Sequence, residues 1–216
     1  MYGTLKYFFM LLLCCSYSVW SQTAATDSVE HHKVEVGISV FYYHPNLSDI
    51  NKGFAQAEEK FALSPWNDFN IYYLALPTVV YYFNPRAQIA LQAGGSFMEH
   101  IREDNKSYYF LWTIGGEFRL VPVTWRKYST ELYVAVGAGV VGVKFHRSYD
   151  NNIGLNEFAS NFYADAGAGM SFHVTNRMSM NVDVRYLFVP KKQLSSLNSN
   201  LSLKSLMAGI GVFYSL

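Results

Sequence analysis

Six charged residues interrupt stretches that otherwise alternate apolar and small residues: Glu35, Glu117, Arg119, Asp165, Asp183 and Arg185. Four acids and two arginines on a common surface can pair into an ionic plug. They can also pass a proton or small ion, or gate by exchanging partners. Gln88, Gln92 and Asn181 fall on the same pattern and add amide donors and acceptors. A second group, His146-Arg147-Ser148 with Glu157 nearby, holds the residue types of a nucleophile, a base and an orienting acid. His31-His32, His44, His100 and His173 show no metal-ligand spacing beyond the adjacent pair, so neither metal nor cofactor is expected.

The segments that carry these residues alternate with period two, which is the signature of strands. Eight such segments follow one another: Val34 to His44, Ile71 to Phe83, Ala87 to Met98, Tyr108 to Leu120, Leu132 to Phe145, Phe162 to Val174, Met178 to Phe188, and about Lys204 to Leu216. In the first, Val34, Val36, Ile38, Val40 and Tyr42 form one face, opposite Glu35, Gly37 and Ser39. The parity of the fifth becomes ambiguous near Val141, where a bulge is expected. All six charges lie opposite the large apolar residues. Gly37, Gly94, Gly115, Gly167, Gly169, Gly209 and Gly211 share that polar face, which suits a crowded interior where side chains converge.

Composition agrees. Half of the 216 residues are apolar, 15% are charged and 17% are aromatic, against roughly 25% charge in ordinary soluble domains. Mean hydropathy is +0.04. No apolar run reaches the roughly 18 residues of a spanning helix. A net charge of +1, with no basic block, argues against nucleic acid as a partner. At the N-terminus, Lys6, the apolar run Tyr7 to Leu13, and the small residues up to Ser21 form a secretory signal cut after Ser21. Residues 1–21 are therefore read as the signal, 22–32 as a short periplasmic segment and 33–216 as the barrel. Cys14 and Cys15 lie within the signal, so the mature chain has no disulfide.

The links between strands alternate in length. Asn84-Pro85-Arg86 and Thr175-Asn176-Arg177 are tight, and Val121 to Glu131 is compact. Pro45 to Asn70, Glu99 to Ser107, His146 to Asn161 and Val189 to Leu203 are long and polar. Short turns on one side and long loops on the other mark an outer-membrane barrel. In the first long loop, Ser48-Asp49 is placed to cap a helix running to about Leu63, with Ile50, Phe54, Ala57 and Phe61 on one face. That helix is either packing over the mouth or a gate. Tyr42-Tyr43, Tyr72-Tyr73, Tyr81-Tyr82-Phe83 and Tyr108-Tyr109 at strand ends fit interfacial girdles.

The segment Tyr72 to Phe97 (YYLALPTVVYYFNPRAQIALQAGGSF) and the terminal LMAGIGVFYSL resemble small outer-membrane barrel proteins of the PorT-like or porin family, similar in architecture to OmpX and OmpW. The resemblance implies an outer-membrane location, no cofactor, no catalytic residues, and insertion through the terminal strand. His146-x-Ser148 also resembles the motif of lipid A deacylase barrels, but there it lies near the chain end, whereas here a long stretch follows. The expectation is an all-β, eight-stranded antiparallel up-and-down transmembrane barrel, not an enzyme, with a plugged polar lumen. Its expected partners are outer-membrane lipid, the outer-membrane insertion machinery and an envelope protein met through the long loops. Three alternatives stay open: passage of small apolar molecules through a side opening at Pro77 or the fifth strand, an accessory role in an envelope secretion machine, and lipid hydrolysis at Ser148.

Overall fold

The computed structural model describes residues 34–102, 105–125, 129–149, 153–194, 197 and 199–216. The expected signal and periplasmic segment lie outside these residues. The barrel strands are β1 (Val34–Tyr43), β2 (Tyr73–Asn84), β3 (Ala87–Arg102), β4 (Asn105–Trp125), β5 (Thr130–Tyr149), β6 (Ile153–His173) and β7 (Met178–Phe188). After β7 come a small separate hairpin, β8 (Lys192–Leu194) and β9 (Ser199–Leu201), and the closing strand β10 (Ser205–Ser215). Each barrel strand pairs antiparallel with its neighbours, and β1 against β10 closes the sheet. Closure leaves no free edge within the wall, which is what lipid demands of a sheet.

Alternation decides which side of the wall each residue takes. Ile38, Val40, Leu91, Ile114, Val136, Phe162, Val182 and Leu206 face outward and are exposed, whereas Glu35, Ser39, Gln92, Glu117, Asp165 and Asp183 face inward and are buried. The tight turns use their own polar side chains. Asn84 Oδ1 accepts from Arg86 N at 2.8 Å, and Thr175 Oγ1 accepts from Met178 N at 3.0 Å, both local alternatives to a ladder bond.

The expected bulge at Val141 is absent. The β5–β6 register runs unbroken from Thr130↔Phe172 to Tyr149↔Ile153. Parity looks ambiguous in sequence because Gly142 faces outward yet is buried under the Trp112 ring. The register shift falls instead between Leu120 and Val123 in β4, where Val121 and Pro122 oppose the single residue Tyr133. Proline cannot donate to the ladder, and a bulge accommodates it.

Two of the four expected long loops are largely strand. β4 and β6 each run 21 residues and β5 runs 20, whereas crossing the hydrocarbon takes about 9–11. The surplus stands beyond the barrel. The β2–β3 ladder starts at Ala75↔Gly95 and the β6–β7 ladder at Ala164↔Phe188. Past those points β3 to β6 pair only with one another, out to Arg102↔Asn105 and Tyr149↔Ile153. A four-stranded sheet therefore projects on the long-loop side.

Helix α1 (Ser48–Lys60) lies in the first long loop. Its start differs from expectation. Leu47 is the N-cap and makes no side-chain cap bond, and Asn46 Oδ1 accepts from Ser48 N at 3.0 Å. The helix ends as Leu63 N donates back to Glu58 O at 2.8 Å, through Ala62 at φ 51°, a left-handed conformation that costs an alanine about 1 kcal/mol. Ile50 and Phe54 are fully buried, as expected. Phe61 is 55% exposed, because the helix stops before it, and the charged Glu58 takes the buried place.

Candidate functional site in the barrel interior

The inward faces divide into two storeys. On the short-turn side the filling is ionic. Arg119 Nε donates to Glu117 Oε1 at 2.5 Å, and Arg185 bonds the other oxygen of the same carboxylate. Arg185 Nη2 also reaches Asp183 Oδ1 at 3.1 Å, and the Tyr133 hydroxyl donates to that same oxygen. Both guanidinium groups lie over rings: Arg185 is 5.0 Å from the Phe41 centroid and Arg119 is 5.0 Å from that of Tyr133. Such contacts let a guanidinium be buried with its flat faces covered.

Of the nine residues that the pattern assigned to the interior, Glu117, Arg119, Asp183 and Arg185 form this one cluster. Asp165 is buried beside it but belongs to none of its ion pairs. Glu35 stands apart and accepts from the Ser215 hydroxyl at 3.0 Å. Gln88, Gln92 and Asn181 are inward and buried on β3 and β7, outside the ionic cluster. The charge-and-amide pattern leaves out Tyr133 and Phe41, although both share the inward parity of their strands. It also missed Glu131, which faces inward at the start of β5 with His173 at 3.8 Å.

The storey on the long-loop side is apolar, contrary to a uniformly polar lumen. Leu74, Leu76, Leu111, Val143, Leu187 and Met207 point inward from the wall and meet Ile50 and Phe54 of α1 and Leu197, Leu201 and Leu203 around the small hairpin. Between the storeys is a cavity of about 10 Å³ bordered by Leu76, Gln92, Tyr163 and Asp165, room for about one water molecule.

One buried charge pair joins α1 to the projecting sheet. Arg147 Nη1 donates to Glu58 Oε1 at 2.7 Å, and Nη2 donates to the Asn67 carbonyl at 2.8 Å. The Tyr149 hydroxyl donates to the same Glu58 oxygen. The Arg147 guanidinium lies between the Phe54 and Phe69 rings, 4.6 and 4.5 Å from their centroids. Asn51 adds a two-point clamp: its Nδ2 donates to Phe69 O at 3.1 Å, and its Oδ1 accepts from Phe69 N at 2.9 Å. Burial, with the bond to Glu58, raises the Tyr149 phenol above its ordinary pKa.

The hydrolase constellation does not assemble. His146 and Ser148 lie on the outer face of β5, whereas Glu157 is buried on the inner face of β6. Ser148 Oγ accepts from Lys106 N at 2.6 Å across the β4–β5 seam. His146 Nδ1 meets Asn156 Oδ1 at 2.6 Å, and its ring lies 4.8 Å from that of Tyr108. Among the described residues no hydrogen bond joins Ser148 to a base, and the middle residue Arg147 serves the helix clamp instead.

No protein-family model matches the chain, and no curated protein matches it. Solved structures do. Neisserial surface protein A aligns with TM-score 0.58 at 11% identity, covering 85% of this chain and 97% of that one. The outer membrane protein OprG from Pseudomonas aeruginosa aligns with TM-score 0.57 at 12% identity, covering 87% and 98%. At such identities the likeness is one of fold, and the fold is the eight-stranded up-and-down barrel of small outer-membrane proteins.

Proposed function

We propose that this protein sits in the outer membrane of a Gram-negative envelope as a non-enzymatic barrel whose projecting sheet is its working surface. The observation that carries this reading is the surplus length of β3 to β6. Those strands extend a hydrogen-bonded sheet beyond the barrel, while side chains of the wall and α1 pack both storeys of the interior. Along that sheet, Ser96 to Arg102 of β3 pair only with β4, and Ile153 to Tyr163 of β6 pair only with β5, so each leaves one edge without a strand among the described residues. An unpaired edge offers backbone donors and acceptors to a strand of another protein. A photo-crosslinker at Asn156 on intact cells should capture a discrete envelope or surface partner, and one at Lys52 on α1 should not. Equal labelling from both positions, or none from either, would overturn the proposal.

A second reading is favoured by one seam. The β2–β3 ladder skips Leu76 and Pro77, and the small cavity lies directly behind Leu76. An interrupted ladder is the place where a small apolar molecule would leave the wall sideways. The fifth strand, the other place considered for an opening, pairs without a break along β6. Replacing Pro77 with valine restores the donor and should slow uptake of a small apolar solute if the seam is a route. Unchanged uptake removes this reading.

A further inference from the structure

We propose that one sector of the outer rim, across β5, β6, β7 and the start of β10, is a seat for a phosphorylated lipid of the outer leaflet of the lipid A type. This rests on the outer-membrane reading above, with the projecting sheet outward, and not on the sheet's binding a protein partner.

Charge is almost absent from the outward-facing positions of the barrel strands, and Lys144 is an exception. It faces outward on β5, in register with Phe158 of β6. Lys191 and Lys192 follow β7 after Val189 and Pro190, and Lys204 directly precedes β10. All four are exposed. Beside them lies an apolar field in which Phe162 is 75% exposed, Phe158 60% and Phe188 53%, with the Lys144 ammonium resting over the Tyr108 ring of β4, 5.8 Å from its centroid. Lys192 also lines a small crevice with Ser160, Asn161 and Pro190 that leads in to the buried Val141, Val189 and Leu203, where the chain after β7 leaves the wall and Asn161 Nδ2 donates to Pro190 O at 2.9 Å.

The arrangement sets three exposed phenyl rings beside ammonium groups on the long-loop side of the barrel. That is the complement of an amphiphile with several acyl chains and an anionic head. Near a membrane surface each lysine contributes about 1 kcal/mol toward anionic lipid. The rest of the rim is different. Around β1 and β2, His44 stacks on Tyr72 at 5.5 Å and on Tyr42 at 6.5 Å. On β3, Glu99 faces Lys106 at 3.9 Å, so that lysine already has an acid beside it. Cationic snorkelling spread around the whole rim would not produce this asymmetry. The crevice holds only about 10 Å³, so acyl chains lie along the phenyl field rather than inside the wall, and the phosphate meets the lysines.

The test uses the full mature barrel in nanodiscs, with lipid A and dephosphorylated lipid A as probes and native mass spectrometry as the readout. The wild type should retain phosphorylated lipid A about tenfold better than the dephosphorylated form. The K144Q/K191Q/K192Q/K204Q variant should lose that preference. A K52Q/K60Q variant, altered on the exposed face of α1, should keep it. A gel shift between unboiled and boiled samples verifies that each variant is folded. Equal retention of the two lipids by the wild type, or an undiminished preference in the quadruple variant, overturns the proposal. If the crosslinking at Asn156 fails while the lipid preference stands, only the protein-partner reading falls.

Discussion

A glycine on the inner face is a record of what stands opposite it. At Gly169 a Cβ would lie 2.5 Å from Tyr133 Cζ and 2.7 Å from Asp183 Oδ1. These are the two groups that share the bond anchoring one side of the ionic cluster. Gly169→Ala should destabilise the barrel by about 1–3 kcal/mol, because an overpacked site must push its neighbours off their rotamers. Urea unfolding in detergent measures it, and an unchanged midpoint would show that the interior yields more easily than the geometry indicates. Arg185 supports a stronger expectation. Its loss leaves Glu117 and Asp183 buried with Arg119 as their one arginine, and removing one partner of a buried pair costs about 3–5 kcal/mol. Arg185→Met alone should therefore cost about twice as much as Gly169→Ala. Adding Asp183→Asn should recover part of the loss, since among the described residues Arg185 is the one arginine paired with Asp183 and the carboxylate left behind is then no longer charged. Charge reversal, Arg185→Glu, should prevent stable folding.

At the scale of elements, the barrel strands were legible because period two survives in all eight, and lipid on one side enforces it. The inner set was legible for the same reason: an acid or arginine within a wall strand has only one side to face. Strand length was not legible. From His146 to Asn161 the chain is polar enough to read as loop, because both faces of a projecting sheet avoid lipid and the contrast between faces disappears. What keeps this part in strand is the cover on its inner side by α1 and Phe69, a contact between segments far apart in sequence. Glu58 and Arg147 are 89 residues apart, and nothing local announces their pairing. The pair also makes a definite expectation about α1. Arg147→Met should loosen the helix strongly because it strands the buried Glu58 carboxylate, at about 3–5 kcal/mol. Arg147→Met with Glu58→Leu should be near the wild type, since an apolar pair fits among Phe54, Phe69 and Phe145. Proteolysis at Lys52 and Lys60 follows this: fast in the single variant, slow in the double. Equal rates in both would mean that Asn51 and the apolar face hold the helix without the ion pair.

For the whole molecule, the two storeys make a joint claim about flux. Eight strands enclose space enough for side chains and little else. Here apolar side chains and α1 fill one half, and paired charges fill the other. An ion crossing this interior would have to leave water for the apolar storey, which is prohibitive without a partner. It would also have to displace arginine from carboxylate in the ionic storey. The wild-type protein in a planar bilayer should accordingly show no steady conductance. The more informative case is removal of the plug helix. If α1 alone closed the barrel, replacing Ser48 to Leu63 with a short Gly/Ser link would open a channel. The proposed second closure is the ionic cluster of Glu117 with Arg119 and Arg185, which has no hydrogen bond to α1. The shortened barrel should therefore stay closed, and conductance should appear only when the link is combined with Arg119→Ala and Arg185→Ala in protein that still shows the heat-dependent gel shift. A steady current from the shortened barrel alone would mean that the ionic storey yields to water, and that the helix is the gate.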